Sequence, residues 1–132
     1  MDKVEFLILR NLLHNEDYLR KVIPFIKPEY FEDLNQKVVF EETLKFIQHY
    51  NELATKEVLC IEVEKRQDIN DTSFKEIVHL IECLDDVPAE FNWLVDTTEK
   101  WCRDRAIYLA LMESIHIADG KDEKKNRDSI PS

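Results

Sequence analysis

Apolar residues recur every three or four positions along most of this chain, and this pattern predicts a succession of helices. The first helix covers about residues 2–14. Asn15 then starts a second, shorter helix, because its side chain can accept a backbone N–H two or three residues further on. That helix ends near Ile23, since Pro24 disfavours a helical conformation in the residue before it.

The middle of the chain predicts a tight turn followed by a central helix. Pro28 opens a single turn over residues 27–31, and the two aromatic residues of that turn are expected to plug the core. Residues 35–50 then present one apolar and one charged face, which is typical of a helix packed on a core. The apolar face consists of Val39, Phe40, Leu44, Ile47 and Tyr50.

Two further helices are predicted before residue 87. Thr55 is placed to cap a helix that continues to about Lys65. Residues 61–64 alternate between apolar and acidic and would also suit a strand, but a lone strand has no partner here. After a polar loop, Asp71 or Ser73 caps a helix that carries apolar residues as far as Leu84.

A long helix from Pro88 to Gly120 follows, with a signal at each end. Proline is tolerated at a helix entry, and the chain's only glycine stands where the residue after a helix often needs positive φ. At 1.5 Å per residue this helix is about 45 Å long, whereas a compact chain of this size has a diameter of roughly 36 Å. We therefore expect the helix to protrude, with Trp93 and Trp101 both facing the globule at its base. Its heptad stripe is Leu94, Thr98, Trp101, Arg105, Tyr108, Met112 and Ile115.

Residues 106–112 are apolar on every side of this helix, which indicates that it is covered on more than one side. One interpretation is that the segment crosses the core of its own domain. The other is that a second helix or subunit covers it, and this one is favoured because the helix is longer than the globule. The expected protein-interaction residues are Arg105, Ile107, Tyr108, Leu111, Met112 and Ile115.

Composition agrees with one all-α domain. The chain has 132 residues, 44% of them hydrophobic and 35% charged, with one glycine and four prolines. This balance favours helices and leaves few turns for hairpins. We expect a compact globule over residues 1–87, the long helix over residues 88–120 and a disordered tail over residues 121–132.

Charge and hydropathy argue against a nucleic-acid-binding, a membrane-spanning or a secreted protein. The net charge of −10 opposes binding to a phosphate backbone, and the basic residues between 121 and 127 are interleaved with acids, so direct nucleic-acid binding is not expected. No apolar run approaches a membrane span, and the opening MDKVEF is too polar for a secretion signal. Three widely spaced cysteines fit reduced thiols. We expect a soluble cytoplasmic protein.

The sequence shows no catalytic, cofactor or metal site. His79 and Cys83 stand four residues apart, but zinc needs two more ligands, so helix packing is the favoured interpretation. The acidic pairs Glu41-Glu42 and Asp85-Asp86 are expected to be solvated rather than catalytic. A single glycine excludes the glycine-rich phosphate loops.

The order of several short segments resembles a known family. These segments are Leu9, Leu12 and Leu13, then Asn15-Glu16-Asp17-Tyr18, Pro24, Glu29-Tyr30-Phe31, Trp93-Leu94-Val95, Glu99 and Arg103-Asp104-Arg105-Ala106. In this order the chain is similar, over nearly its whole length, to the N-terminal domain of hexameric replicative DNA helicases of the DnaB type. The T-even-phage version is the most similar.

This resemblance implies a helical globule followed by a two-helix hairpin. In such helicases the hairpins pair, build a collar on the hexameric ring, and dock primase or a helicase loader. The ATPase domain, with its ATP and magnesium, lies further along such chains, and a phage-encoded protein would act in the host cytoplasm. This sequence reaches Ile130-Pro131-Ser132 about where the returning hairpin arm is expected. The alternative is a free-standing acidic helical adaptor that binds a basic partner protein.

Overall fold

The computed structural model describes the backbone of residues 3–128 and the side chains of residues 3–116. Within that part of the chain every regular element is helical, which confirms the all-α prediction. A 3₁₀ turn, Pro28–Tyr30, separates the second and third helices, as the proline pattern predicts. The helices are α1 (Lys3–His14), α2 (Glu16–Val22), α3 (Leu34–Tyr50), α4 (Lys56–Glu64), α5 (Asp71–Glu82) and α6 (Phe91–Asp128).

Short polar side chains begin four of these helices. Asn15 accepts the backbone N–H of Tyr18, and Thr55 accepts that of Val58, so both predicted caps are confirmed. Asp33 caps α3 in the same way. The cap predicted for α5 is wrong, because Asn70 accepts the N–H of Ser73 and Asp71 is already the first helical residue.

The core lies where α1 and α3 meet and are flanked by α2, α4 and α5. Phe31, just after the 3₁₀ turn, is buried and stacks on Phe40 of α3 with ring centroids 5.0 Å apart, so one of the turn's aromatics does plug the core. Tyr30 is only half-buried. Tyr50, predicted on the apolar face of α3, is 60% exposed, because it ends the helix beside the open turn at Asn51.

Both ends of the long helix differ from the prediction. It begins at Phe91 rather than Pro88, because the carboxylate of Glu90 accepts the N–H of Trp93 and so caps the first turn. It continues through Gly120 to Asp128. An interior glycine costs only about 1 kcal/mol relative to alanine, and no proline follows before Pro131, so the predicted end at Gly120 is wrong. α6 thus includes residues 121–128 of the predicted tail, and residues 129–132 lie outside the described part.

α6 has 38 residues, which at 1.5 Å per residue is about 57 Å. Its first half packs on α2, on the 3₁₀ turn and on α1. Beyond Arg105 its side chains are exposed or half-exposed as far as His116, where the description of side chains ends. The helix therefore leaves the globule as an arm, which is the predicted protrusion.

Candidate protein-interaction surface

The base of the arm is anchored by aromatic packing. Trp101 is only 8% exposed, and its ring lies 5.0 Å from that of Phe31 and 6.0 Å from that of Tyr30, measured between centroids. Leu94, two turns earlier on the same side of α6, is fully buried. These contacts join the long helix to the aromatic turn and set which side of α6 faces the globule.

A buried hydrogen-bond chain strengthens the same joint. The hydroxyl of Thr98 donates to the carbonyl of Leu94 at 2.8 Å, so its oxygen is free to accept from the hydroxyl of Tyr18 at 2.5 Å. Burial raises the pKa of Tyr18 well above its ordinary value. The phenol is therefore a neutral donor, and α2 is tied to α6 by a satisfied polar contact inside the core.

Arg105 stands where α6 leaves the globule. Its Nε donates to the carbonyl of Tyr30 at 2.6 Å, and its Nη1 donates to Glu32 at 3.0 Å. Its guanidinium also lies 4.9 Å from the ring centroid of Tyr108. Arg105, predicted as an interaction residue, thus also makes contacts within its own chain, where it orients the arm.

The other predicted interaction residues lie together on the arm beyond Arg105. At about 100° per residue, Tyr108, Met112 and Ile115 continue the line of Leu94, while Ile107 and Leu111 widen it on one side. None of the five is covered by the globule, so the interpretation that they cross its core is wrong. Their exposed fractions run from 45% to 59% for Ile107, Tyr108, Leu111, Met112 and Ile115, which we call the arm stripe.

Trp93 does not face the globule as predicted. It is 53% exposed, because about 80° of helix rotation separates it from Trp101 and takes it past the edge of the packed side. It borders a groove of about 450 Å³ between α1 and α6, here named the α1–α6 groove. Sequence reasoning missed this groove, although the angular position of Trp93 on α6 was a usable signal. Its lining is Lys3, Val4, Phe6, Leu7, Arg10, Trp93 and Thr97.

The structure offers no assembled metal centre among the side chains it describes. Cys83 Sγ lies 3.8 Å from Nε2 of His79, but no group of three or more His, Cys, Asp and Glu side chains converges within residues 3–116. Burial raises the pKa of the Cys102 thiol to about 11, so this cysteine is not a thiolate at neutral pH.

The two acidic pairs behave differently from each other. Asp85 is exposed and accepts from Lys56 at 2.8 Å, and that bond lowers the pKa of Asp85. The prediction of a solvated pair is wrong for Glu42, whose side chain is 1% exposed and accepts from Arg66 at 2.7 Å. Lys45 lies 3.1 Å from the same carboxylate. Glu42 is a buried structural ion-pair residue.

The described helices include none that combines the length and the apolar character needed to cross a bilayer.

The chain is 30% identical over 124 residues to a DnaB-like replicative helicase of Enterobacteria phage T4. The alignment covers 92% of this chain and 26% of that helicase, so the chain spans about a quarter of its relative's length. No protein-family model matches the chain, and no solved structure matches it. The similarity supports a helicase-related region and confirms the resemblance inferred from segment order at that level.

Proposed function

We propose that this chain is the N-terminal assembly and docking domain of a phage-type replicative DNA helicase. In this role it contributes to the collar of a hexameric ring, binds primase or a helicase loader, and acts in the host cytoplasm. The observation that carries the proposal is the exposed arm stripe on a chain similar to a phage replicative helicase. ATP and magnesium belong to the parent enzyme in this proposal.

The arm stripe has the character of a surface that pairs with another helix. Its five large apolar side chains are contiguous, and soluble monomers rarely expose such a patch without a function. Covering them at about 25 cal/mol per Å² would contribute a few kcal/mol. The base of the arm is held by Trp101 and Arg105, so the stripe is presented at a defined angle. A second copy offers the same surface, and pairing about a two-fold axis would bury both stripes.

We expect this chain to self-associate weakly, and Leu111→Glu combined with Ile115→Glu to abolish the association. Two carboxylates inside a paired apolar stripe would be desolvated without partners. Sedimentation velocity over a range of protein concentrations measures the effect.

A matched control is Ala106→Glu combined with Ala110→Glu. It changes the net charge by the same amount. At about 100° per residue both positions lie on the side of the arm away from the stripe, where Ala110 is exposed and Ala106 half-exposed. Association should survive in this control. Wild-type protein that remains strictly monomeric at millimolar concentration, or equal effects of the two pairs, would remove the physical support for an assembly role.

We expect the isolated chain to hydrolyse no ATP and to bind single-stranded DNA only weakly. A single glycine leaves no glycine-rich phosphate loop, and the net charge of −10 repels phosphates. Fluorescence anisotropy with labelled oligothymidylate and an ATPase assay measure both properties. Micromolar affinity at physiological salt, with a steep salt dependence, would contradict the prediction.

A free-standing adaptor for a basic partner is the second candidate, and the strongly acidic charge favours it. The two candidate functions predict different coding sequences after Ser132. A reading frame that continues past Ser132 into a GKS- or GKT-containing ATPase supports the helicase domain, whereas a stop codon there supports the adaptor.

A further inference from the structure

The α1–α6 groove differs from the rest of this acidic surface in the charge it carries. Its lining contains two cations, Lys3 and Arg10, and no carboxylate. The larger groove between α3 and α4, about 670 Å³, has both signs in its lining, with Glu42 and Glu62 beside Lys45. In a chain of net charge −10, a groove that combines two cations with apolar side chains and a single hydroxyl, that of Thr97, favours an anionic, partly apolar ligand.

The two cations of this groove are not held in an ion pair by the described residues. Among the ion pairs formed by residues 3–116, none involves Lys3 or Arg10. Arg10 lies over the ring of Phe6 at 5.9 Å, which orients its guanidinium beside the apolar lining. The pKa of Asp85 is lowered mainly by Lys56 and to a smaller extent by Arg10, and Asp85 lies outside the groove lining.

Among the side chains that the structure describes, none fills the apolar part of the groove. Trp93 is half-exposed, although α6 buries Leu94 and Trp101 on its neighbouring side. The backbone N–H of Trp93 is already bound to Glu90, so this turn of α6 is fixed and the indole is held at the rim. At about 450 Å³ the groove falls in the size range of small-ligand and peptide-anchor sites, roughly 300–1,000 Å³.

We propose that the α1–α6 groove docks an acidic peptide segment of a partner protein. The segment places an apolar side chain against Trp93 and Phe6, and its carboxylates pair with Lys3 and Arg10. Arginine favours this ligand because its planar guanidinium binds carboxylates with two parallel hydrogen bonds. The groove lies on the globule, away from the arm stripe, so this proposal stands whether or not the arm pairs with a second copy.

A single-stranded nucleic acid is the other ligand that combines anionic and aromatic-stacking character. The charge of the protein argues against it. A phosphate chain extends its charges well beyond two cations into a surface of net charge −10, whereas the few carboxylates of a short peptide are matched locally. A comparison of the acidic peptide with oligothymidylate at the same salt concentration distinguishes the two ligands.

The test uses the 132-residue chain and a blocked synthetic hexapeptide, with a central Leu-Phe flanked by two aspartates and two glutamates. Titration is followed by the indole N–H signals of Trp93 and Trp101 in two-dimensional NMR. We expect a saturable shift of the Trp93 signal only, since Trp101 is buried in the joint. The same peptide with Asn and Gln in place of the acids should bind at least about tenfold more weakly, as expected for lost charge-assisted hydrogen bonds.

Two variants that each lose one positive charge distinguish binding in the groove from an effect of the protein's net charge. Arg10→Gln should weaken binding about tenfold, whereas Lys21→Gln, which removes an exposed cation on α2, should leave it unchanged. If Arg10→Gln melts below wild type, Lys3→Gln makes the same test at an exposed position. No shift of Trp93 at several millimolar peptide would overturn the proposal. So would equal binding of the amide peptide, equal effects of the Arg10 and Lys21 variants, or tighter binding of oligothymidylate at the same salt.

Discussion

Replacing Trp101 by alanine should lower the free energy of unfolding by about 3–5 kcal/mol. The side chain is 8% exposed and fills the space between α6 and the aromatic turn, against Phe31 and Tyr30. Its removal leaves a cavity that these rings cannot close, because Phe31 is already stacked on Phe40. Chemical denaturation followed by circular dichroism measures the change.

Lys100→Ala is the matched control for this prediction. Lys100 is the preceding residue on the same helix, but it is exposed and makes only a surface ion pair with Asp104 at 2.7 Å. Such a pair is worth about 0.3–0.5 kcal/mol on a helix. If the two variants melted together near wild type, Trp101 would not be anchoring the arm, and the orientation of the arm stripe relative to the globule would be wrong.

Replacing Arg66 by methionine should destabilise the fold by about 3 kcal/mol, the lower end of the range for a buried charge that loses its partner. The guanidinium donates to Glu42 at 2.7 Å and to Glu41 at 3.1 Å, and the Glu42 side chain is 1% exposed. Without Arg66 that carboxylate remains desolvated. Lys45, at 3.1 Å but 65% exposed, compensates only in part, which is why the lower end of the range applies.

Two comparisons test whether the uncompensated charge of Glu42 causes this loss of stability. Adding Glu42→Gln to Arg66→Met removes the uncompensated buried charge, so the double variant should recover much of the stability lost by the single one. Lys65→Met removes an exposed pair with Glu62 at 2.9 Å and should leave the free energy of unfolding close to that of the wild type. A double variant less stable than Arg66→Met would show that the uncompensated charge is not the cause of the loss.

The local signals in the sequence determined most of the helices. Asn15, Thr55 and Pro28 act on backbone groups within three or four residues of themselves, so their effect does not depend on the rest of the fold. The apolar period acts in the same short range, and it also located the five arm residues that the globule leaves exposed. Where competing signals lay equally close, as with Asn70, Asp71 and Ser73, the choice of cap was wrong.

Only the tertiary structure decided which polar and aromatic side chains the fold covers. The residues next to Glu42 in the sequence predict an exposed acid. Arg66, which lies 24 positions later, supplies the partner that makes the burial of Glu42 possible. Only the fold brings Arg105, predicted as an interaction residue, to the carbonyl of Tyr30, 75 positions earlier. Trp93 and Trp101 have the same chemistry, and the packing of the aromatic turn against one side of α6 buries Trp101 and leaves Trp93 at the groove. Periodicity reports which side of a helix is apolar, whereas burial depends on which distant elements reach that side.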